Sequence, residues 1–380
     1  MSMTVADLEE ATAFFTGVLG CRTLYTMGPF AGAKGPFMRM YANADVRSVV
    51  HHVRVLRSPF LNVELFQASS PRQRPLWPDL YDVGGWSLTG VVDDLGAAVA
   101  RLEAEDVYVL EEGSDSCHAM TPWGLHLELV PAAGRAAEPT TSTGPGEPTE
   151  PTTSTGPGEP TEPSTTAGAG PAPWDPTAPG PGVEPFPPDA GALPGFRGFE
   201  RLTVTVADLD EAAGLLTGVL GFEAVGAAPA PADRSGPDLR AHANVDARAR
   251  PARACVLRSP YLNVELVECP PYPGQNRLWP AMFDVGGWHL ALYVDDVDAA
   301  VADLAATDVH LLGGKKPAYR YEAGRDACTV HALAPFGLLF ELVTYPHGRD
   351  RAGEHAGPAW CPPAPDRRAA SPSTPTAVRE

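Results

Sequence analysis

The stretch that decides the fold is Asp284-Val-Gly-Gly-Trp-His-Leu-Ala-Leu-Tyr-Val-Asp-Asp296. A Gly-Gly turn leads into an apolar run of residues that favour β-structure, which predicts a strand. The closing aspartates can cap the helical pattern that follows, Val297 to Leu304. The same unit stands earlier in the chain as Asp82-Val-Gly-Gly-Trp-Ser-Leu-Thr-Gly-Val-Val-Asp-Asp94. The chain is therefore a duplication, with Ser87 in the place of His289.

Other repeats stand at almost the same offset between the two halves, 201 residues against 202 for the Gly-Gly unit. Thr205-Val-Ala-Asp-Leu209 repeats Thr4-Val-Ala-Asp-Leu8, and Val256 to Leu266 repeats Val55 to Leu65 with one change, Phe60 to Tyr261. Such equal spacing indicates homologous halves. The alternation of apolar residues predicts an α+β fold in which each half holds two β-α-β-β-β modules. In the first module the predicted elements are a strand at Met3–Asp7, a helix at Leu8–Leu19 closed by Gly20, and strands at Phe37–Ala42, Val49–Leu56 and Leu61–Phe66.

The composition changes abruptly between the halves. Residues 131–197 are rich in Pro, Thr, Gly and Glu, and a twelve-residue segment at 139–150 recurs identically at 151–162. Too little apolar surface is present to offset the entropy of ordering such a tract, so we expect a disordered tether. The predicted domains are therefore 1–130 and 198–348, followed by a disordered tail at 349–380.

The charge balance excludes some classes of partner. The chain of 380 residues has 28 Lys and Arg against 47 Asp and Glu, a formal net charge of −19. Phosphate backbones and anionic membrane surfaces would repel it, which favours a small-molecule partner. The six cysteines lack CxxC spacing, and we see neither a secretory signal nor a spanning helix. We expect a cytoplasmic monomer or homodimer with reduced thiols.

Several motifs taken together resemble a known superfamily. They are the Val-Gly-Gly-Trp-His unit, strands ending in Val-Ala-Asp-Leu, helices ending in Val-Leu-Gly, and the closing strand Pro335-Phe-Gly-Leu-Leu-Phe-Glu-Leu-Val343. This set resembles the vicinal oxygen chelate superfamily, which contains glyoxalase I, extradiol dioxygenases, fosfomycin- and bleomycin-resistance proteins and several epimerases. Leu-Arg-Ser-Pro and Asn-Val-Glu-Leu look most similar to its tandem-domain branch with the cyclitol (valiolone-type) epimerases. The resemblance implies that the four modules form two cupped sheets.

The resemblance also implies a site for one divalent metal, which could be Zn, Mn, Fe, Co or Ni. Carried over position by position, the metal-binding residues are His289, Glu341, Glu64 and Glu265. Ser87 and Glu128 hold the corresponding positions of the second module. The family's remaining histidine position is Arg201 in the third module, and in the first it falls immediately before Met1. We therefore expect a natural start upstream of Met1, carrying that histidine.

Two arrangements of the modules are open. If each half forms its own cup, the second half brings together Arg201, Glu265, His289 and Glu341. If modules exchange, the first meets the fourth and collects Glu64, His289 and Glu341, while Ser87, Glu128, Arg201 and Glu265 share a degenerate cup. The exchanged arrangement is favoured because it gathers the intact ligand positions in one place.

The chemistry implied is a metal-dependent isomerisation or epimerisation of a small hydroxy-ketone or cyclitol through a metal-stabilised enediolate. Glu341, Glu265 or Glu64 could move the proton. Arg57 and Arg258, in the repeated Leu-Arg-Ser-Pro, could bind the substrate or brace a turn. Lys315, Lys316, Tyr319, Arg320 and Tyr321 suggest a lid. The alternatives are a metal-free sequestering protein of the bleomycin-resistance type and an extradiol dioxygenase.

Overall fold

The computed structural model describes residues 1–30, 38–39, 42–58, 61–112, 116–132, 193–228, 246–259, 262–317 and 327–344. Outside the described residues lie most of the predicted tether, the whole tail, and three residues of the predicted lid, Tyr319, Arg320 and Tyr321.

The strands of the first half are β1 (Ser2–Thr4), β2 (Arg22–Met27), β3 (Val49–Arg57), β4 (Asn62–Ser69), β5 (Trp86–Val92), β6 (Tyr108–Glu112), β7 (Cys117–Met120) and β8 (His126–Pro131). Those of the second half are β9 (Gly198–Val206), β10 (Glu223–Ala228), β11 (Arg253–Arg258), β12 (Asn263–Glu268), β13 (Trp288–Tyr293), β14 (His310–Pro317), β15 (Cys328–Leu333) and β16 (Leu339–Thr344).

The strands form two eight-stranded sheets, each built from both halves of the chain. The first sheet has the order β14-β15-β16-β13-β1-β4-β3-β2, and the second β10-β11-β12-β9-β5-β8-β7-β6. At the centre of the first sheet β1 pairs antiparallel with β13, and at the centre of the second β5 pairs antiparallel with β9. Module one therefore meets module four, and module two meets module three. The exchanged arrangement is the one that the sheets adopt.

Four helices of the described residues are capped at their N-termini by an aspartate, as the sequence predicted for Asp296. The helices are α1 (Leu8–Ala13), α2 (Leu95–Glu103), α3 (Leu209–Gly218) and α4 (Val297–Leu304). Their N-caps are Asp7, Asp94, Asp208 and Asp296, whose carboxylates accept hydrogen bonds from backbone amides of the first turn. The predicted first helix continues beyond α1 as a π-helical turn, Phe14–Val18, and Gly20 follows in the left-handed region at φ 69°. No helix in the described ranges is long and apolar enough to cross a membrane.

One prediction in the first module is wrong. Phe37–Ala42 was expected to be a strand, but Met38, Arg39 and Ala42, the described residues of that stretch, are helical. Met38 and Ala42 are buried in the same apolar cluster, and their separation of four residues matches one helical face. The second strand of the module is β2, which precedes this stretch.

The two Gly-Gly turns join the sheets through a reciprocal contact. The Trp86 indole N–H donates to the Gly286 carbonyl at 2.9 Å, and the Trp288 indole N–H donates to the Gly84 carbonyl at 3.1 Å. Both tryptophans are fully buried in a core to which both sheets contribute. The helices and this core cover one face of each sheet. The opposite face, called the open face below, carries the polar residues that form the site, and in the first sheet it also carries a smaller apolar cluster that contains Phe66.

Candidate metal centre

Three potential metal ligands meet on the open face of the first sheet. His289 is the second residue of β13, His331 lies in β15, and Glu341 lies in β16. His331 is directly opposite Glu341 across the antiparallel pair of β15 and β16. One ligand atom from each of the three residues lies within 4.8 Å of those of the others. The sequence predicted His289 and Glu341, and the structure brings these two together.

Burial keeps both histidines neutral. His289 is 2% exposed and His331 is 7% exposed. Burial, with the positive charges of the Met1 amino group and Lys316, lowers the pKa of His289 to about 3. Burial and the charge of Lys316 lower the pKa of His331 well below its usual value. Imidazoles in this state carry a lone pair at physiological pH, which is the form that binds a metal.

The carboxylate of the cluster has two polar neighbours. The Thr329 hydroxyl donates a hydrogen bond to Glu341. Lys316, which pairs with Thr329 in the β14–β15 ladder, lies close enough to Glu341 for their charges to interact. Burial lowers the pKa of Lys316, and the charge of Glu341 acts in the opposite direction. Lys316 thus belongs to a strand beside the cluster, whereas Lys315 next to it pairs with Asp298 on the outside.

Glu64 is the second carboxylate on this face. Ser2 of β1 is the register partner of Glu64 on one side and of His289 on the other. The Ser2 hydroxyl donates to Glu64 at 2.7 Å. Phe66, two residues along the same strand, places its ring centroid 6.1 Å from that of His289. Because residues two apart in a strand share a face, Glu64 faces the same space as His289.

The structure does not bring Glu265 to this cluster. Glu265 lies in β12 of the second sheet, where it accepts a hydrogen bond from Thr203 at 2.9 Å. Arg201 lies between Glu265 and Glu128, with its Nε 3.4 Å from Glu265 and its Nη2 2.6 Å from Glu128. Ser87 is also in the second sheet, in β5. Glu265 is therefore part of an ion-pair network rather than a ligand of the histidine cluster.

The two arginines of the repeated Leu-Arg-Ser-Pro occupy matching places in the two sheets. Arg57 ends β3 opposite Asn62, and Arg258 ends β11 opposite Asn263. Burial lowers the pKa of Arg57, and so does the neighbouring charge of Arg22. Only Arg57 shares a sheet with the histidine cluster. Ser58 and Ser259, which follow the arginines, cap the turns with hydrogen bonds to Leu61 and Leu262.

His331 is the functional residue that the sequence analysis missed. It lies on the third strand of its module, and the resemblance drew attention to the first and fourth strands. A signal was present, because His118-Ala119 precedes Glu128 at the same spacing at which His331-Ala332 precedes Glu341. The antiparallel registers make each histidine the neighbour of its glutamate.

The donor set fits a divalent transition metal. Two neutral imidazoles and one carboxylate form the mixed nitrogen and oxygen site found with Zn²⁺ and with non-haem Fe²⁺. The buried Nδ1 of His331 has no hydrogen-bond partner within the part of the chain that the structure describes. Leaving such an atom unpaired costs stability, and a metal ion would satisfy it.

The chain is similar to several known proteins. A model of the glyoxalase, bleomycin resistance protein and dioxygenase superfamily matches residues 201–329. A 2-epi-5-epi-valiolone epimerase from an Actinomyces species is 33% identical over 141 residues, which are 34% of this chain and 76% of the relative. Glyoxalase I from Zea mays matches with 12% identity and a TM-score of 0.48, over 90% of each chain. A glyoxalase family protein from Bacillus cereus matches with 18% identity and a TM-score of 0.30, over 37% of this chain and 89% of its own.

Proposed function

The chain belongs to the glyoxalase, bleomycin resistance protein and dioxygenase superfamily, known as the vicinal oxygen chelate superfamily, and we propose that it is a metal-dependent isomerase or epimerase. The substrate would be a small hydroxy-ketone or cyclitol, and the reaction would move a proton on the carbon next to a carbonyl. The observation that carries the proposal is the cluster of His289, His331 and Glu341 on one face of the first sheet. The epimerase relative supports the reaction class.

In this proposal the three clustered residues hold one divalent metal. Such an ion supplies a Lewis acid that draws electron density from the substrate oxygens and so acidifies the neighbouring C–H bond. His289 and His331 can bind it without first losing a proton, because burial keeps both imidazoles neutral. The Thr329 hydroxyl and the ammonium group of Lys316 orient Glu341 and balance its charge.

Glu64 is the residue that moves the proton in this proposal. It lies outside the three-residue cluster but faces the same space, two strands from His289 by way of Ser2. Adjacent strands are about 4.8 Å apart, so the backbones of Glu64 and His289 are about 10 Å apart. A small substrate bound beside His289 fits between them. The hydrogen bond from Ser2 fixes the carboxylate in place, and an ionised carboxylate can take up the substrate proton.

Arg57 and Lys316 are the cationic groups that could contact the rest of the substrate. Arg57 is the register partner of Asn62, which is two residues from Glu64 on the same face. Lys316 stands at the opposite side of the cluster, beside Glu341. Both can donate hydrogen bonds to substrate hydroxyl groups, and so the two would fix the orientation of a polyhydroxylated ring between them.

The test is proton exchange at the reacting carbon. The purified chain, loaded with each candidate metal in turn, is incubated with 2-epi-5-epi-valiolone in D₂O, and NMR follows deuterium uptake and the appearance of a stereoisomer. We expect both to depend on added metal and to be lost in His289→Ala. The absence of exchange with every metal tested would reject the proposal for this substrate class.

A ring-cleaving dioxygenase is the second candidate, and His331 is the observation that favours it. Two histidines and one carboxylate form the ligand triad of non-haem Fe²⁺ oxygenases. The two candidates differ in their co-substrate, since only the dioxygenase consumes O₂. An oxygen electrode with the Fe²⁺-loaded chain and catechol as probe separates them: O₂ uptake would favour the dioxygenase, and deuterium exchange without O₂ uptake would favour the epimerase.

A further inference from the structure

The open faces of the two sheets correspond residue by residue. In the second sheet one row runs across the strands through mutual register partners, and it consists of Arg258, Asn263, Arg201, Thr89, Glu128 and His118. Register partners project to the same face, so these side chains line one surface. Glu128 and His118 occupy the places of Glu341 and His331. The row therefore contains a site related to the metal centre but with different chemistry.

A guanidinium stands where the first sheet has its histidine cluster. Arg201 donates to Glu128 at 2.6 Å and lies 3.4 Å from Glu265, the residue that corresponds to Glu64. Burial alone would raise the pKa of Glu128, but Arg201 and other neighbours lower it to about 2. Ser87 replaces His289, and the second imidazole on this face is instead His126, the register partner of Ser87. A fixed cation is thus built into the second sheet at the position that a metal ion would take in the first.

Two polar atoms next to this network have no hydrogen-bond partner in the part of the chain that the structure describes. The Nε of Arg258 and the Oδ1 of Asn263 are both buried, and neither forms a hydrogen bond to any described residue. The two residues are direct register partners, so their side chains start from adjacent positions on the same face of the sheet. One hydroxyl group can satisfy both, since it accepts from Nε–H and donates to Oδ1. Leaving both unsatisfied is costly.

The charge of the row identifies the class of ligand. On this face the cations Arg258 and Arg201 are balanced by the carboxylates Glu128 and Glu265. Burial lowers the pKa of the neighbouring His126 to about 4, so this imidazole is neutral and adds no charge. A charged ligand would leave its charge uncompensated in this partly buried site. A neutral molecule with several hydroxyl groups would not.

We propose that the open face of the second sheet is a metal-independent binding site for a neutral polyhydroxylated molecule, held by Arg258 and Asn263 beside the Arg201 guanidinium. The comparison with the first sheet rests on the proposed metal centre. The ligand class rests on the Nε of Arg258, the Oδ1 of Asn263 and the balanced charge. These observations do not depend on the proposed metal centre. The site would allow the chain to bind a polyol while its metal centre is empty.

The test uses the full chain stripped of metal with a chelator and checked by elemental analysis. Equilibrium dialysis with radiolabelled myo-inositol and sorbitol measures binding and its stoichiometry. We expect one equivalent of at least one of these polyols to bind. Asn263→Ala and Arg258→Lys should each weaken binding about tenfold, because each removes one hydrogen bond to the ligand. The matched variant in the first sheet, Asn62→Ala, should bind the metal-free probe as the unmodified chain does.

Two results would overturn the proposal. One is the absence of polyol binding by the metal-free chain, and the other is binding that Asn62→Ala abolishes and Asn263→Ala does not. Thermal unfolding without ligand separates a purely structural role for Asn263, since the loss of a ligand contact weakens polyol binding without requiring a lower unfolding temperature. Because no metal is present, failure here is distinguishable from failure of the proposed epimerase, which is measured by metal-dependent proton exchange.

Discussion

His331 lies directly opposite Glu341 in the ladder of β15 and β16. The same relationship recurs in the second sheet, where His118 lies opposite Glu128 in the ladder of β7 and β8. The environments differ, because His289 adjoins the first pair and Arg201 is bonded to the second. The duplication therefore supplies matched controls for His331 and Glu341 of the proposed metal centre, namely His118 and Glu128.

His331→Ala should remove the bound metal. The substitution takes away one of three clustered ligands, and even residues that only support a ligand commonly contribute tenfold to a hundredfold to metal affinity. We expect a loss of at least about a hundredfold, measured by competition with a chromogenic chelator. His118→Ala, the counterpart in the second sheet, should retain the affinity of the unmodified chain. Equal losses in the two variants would contradict the assignment of the metal to the first sheet.

Glu64→Gln should slow proton exchange and leave metal binding intact. Glutamine keeps the size of the side chain and an acceptor for the Ser2 hydroxyl, but it cannot take up a proton. General bases contribute about a hundredfold to ten-thousandfold to rate, so deuterium uptake should fall by that range. Glu64→Asp should retain part of the activity. Loss of metal together with activity in Glu64→Gln would assign Glu64 to metal binding instead.

Much of the architecture could be predicted from the sequence because its signals are local or repeated. The duplication, the strand after each Gly-Gly turn and the aspartate cap of α4 follow from short patterns. His289 and Glu341 were found because they stand in a recognisable motif. The stretch from Phe37 to Ala42 was assigned wrongly, since a short run of apolar residues can form a strand or one face of a helix.

The rest depended on contacts between distant parts of the chain. The constant offset between the halves is compatible with cups within each half and with exchanged cups, and only the pairing of β1 with β13 distinguishes them. This pairing also places Glu265 and His289 in different sheets. The residue pattern alone was compatible with their lying in one cup. The spacing that His331–Glu341 shares with His118–Glu128 is a sequence signal, but the contact between the two side chains follows only from the pairing of their strands.

The Arg201 network should make stability depend on acidic pH. Burial opposes ionisation of Glu128, yet Arg201, His118 and Thr89 lower its folded-state pKa to about 2, well below the usual value for a glutamate. A group with a lowered pKa stabilises the fold above its unfolded-state pKa and loses that contribution as the pH falls through its folded-state pKa. We expect the free energy of unfolding to fall by up to about 3 kcal/mol between pH 5 and about pH 2 from this group.

Arg201→Met tests this assignment. It leaves Glu128 and Glu265 buried without their cation, which should lower the free energy of unfolding at pH 7 by about 3–5 kcal/mol. The free energy of unfolding should also depend less on pH below pH 5, since Glu128 loses the cation that lowers its folded-state pKa. Urea unfolding across this pH range measures both effects. A variant as stable as the unmodified chain, with the same pH profile, would show that the network contributes little.

Gly286→Ala should destabilise the junction of the two halves. Gly286 has a φ of 77°, and a Cβ at this position would lie 2.6 Å from the Cδ of Pro78 and 2.7 Å from the Trp77 ring. Its carbonyl accepts the hydrogen bond from the Trp86 indole, so a shift of the turn would also weaken that contact. We expect a loss of about 1–3 kcal/mol in the free energy of unfolding.

Gly214→Ala is the matched control for this prediction. Gly214 lies inside α3, and a Cβ there would meet nothing within 4 Å. Alanine in a helix interior is favoured over glycine by about 0.5–1 kcal/mol, so this variant should be more stable than the unmodified chain. Denaturant unfolding of the two variants should therefore give changes of opposite sign. If Gly286→Ala were as stabilising as Gly214→Ala, the close packing of Gly286 against Trp77 and Pro78 would not limit the stability of the junction.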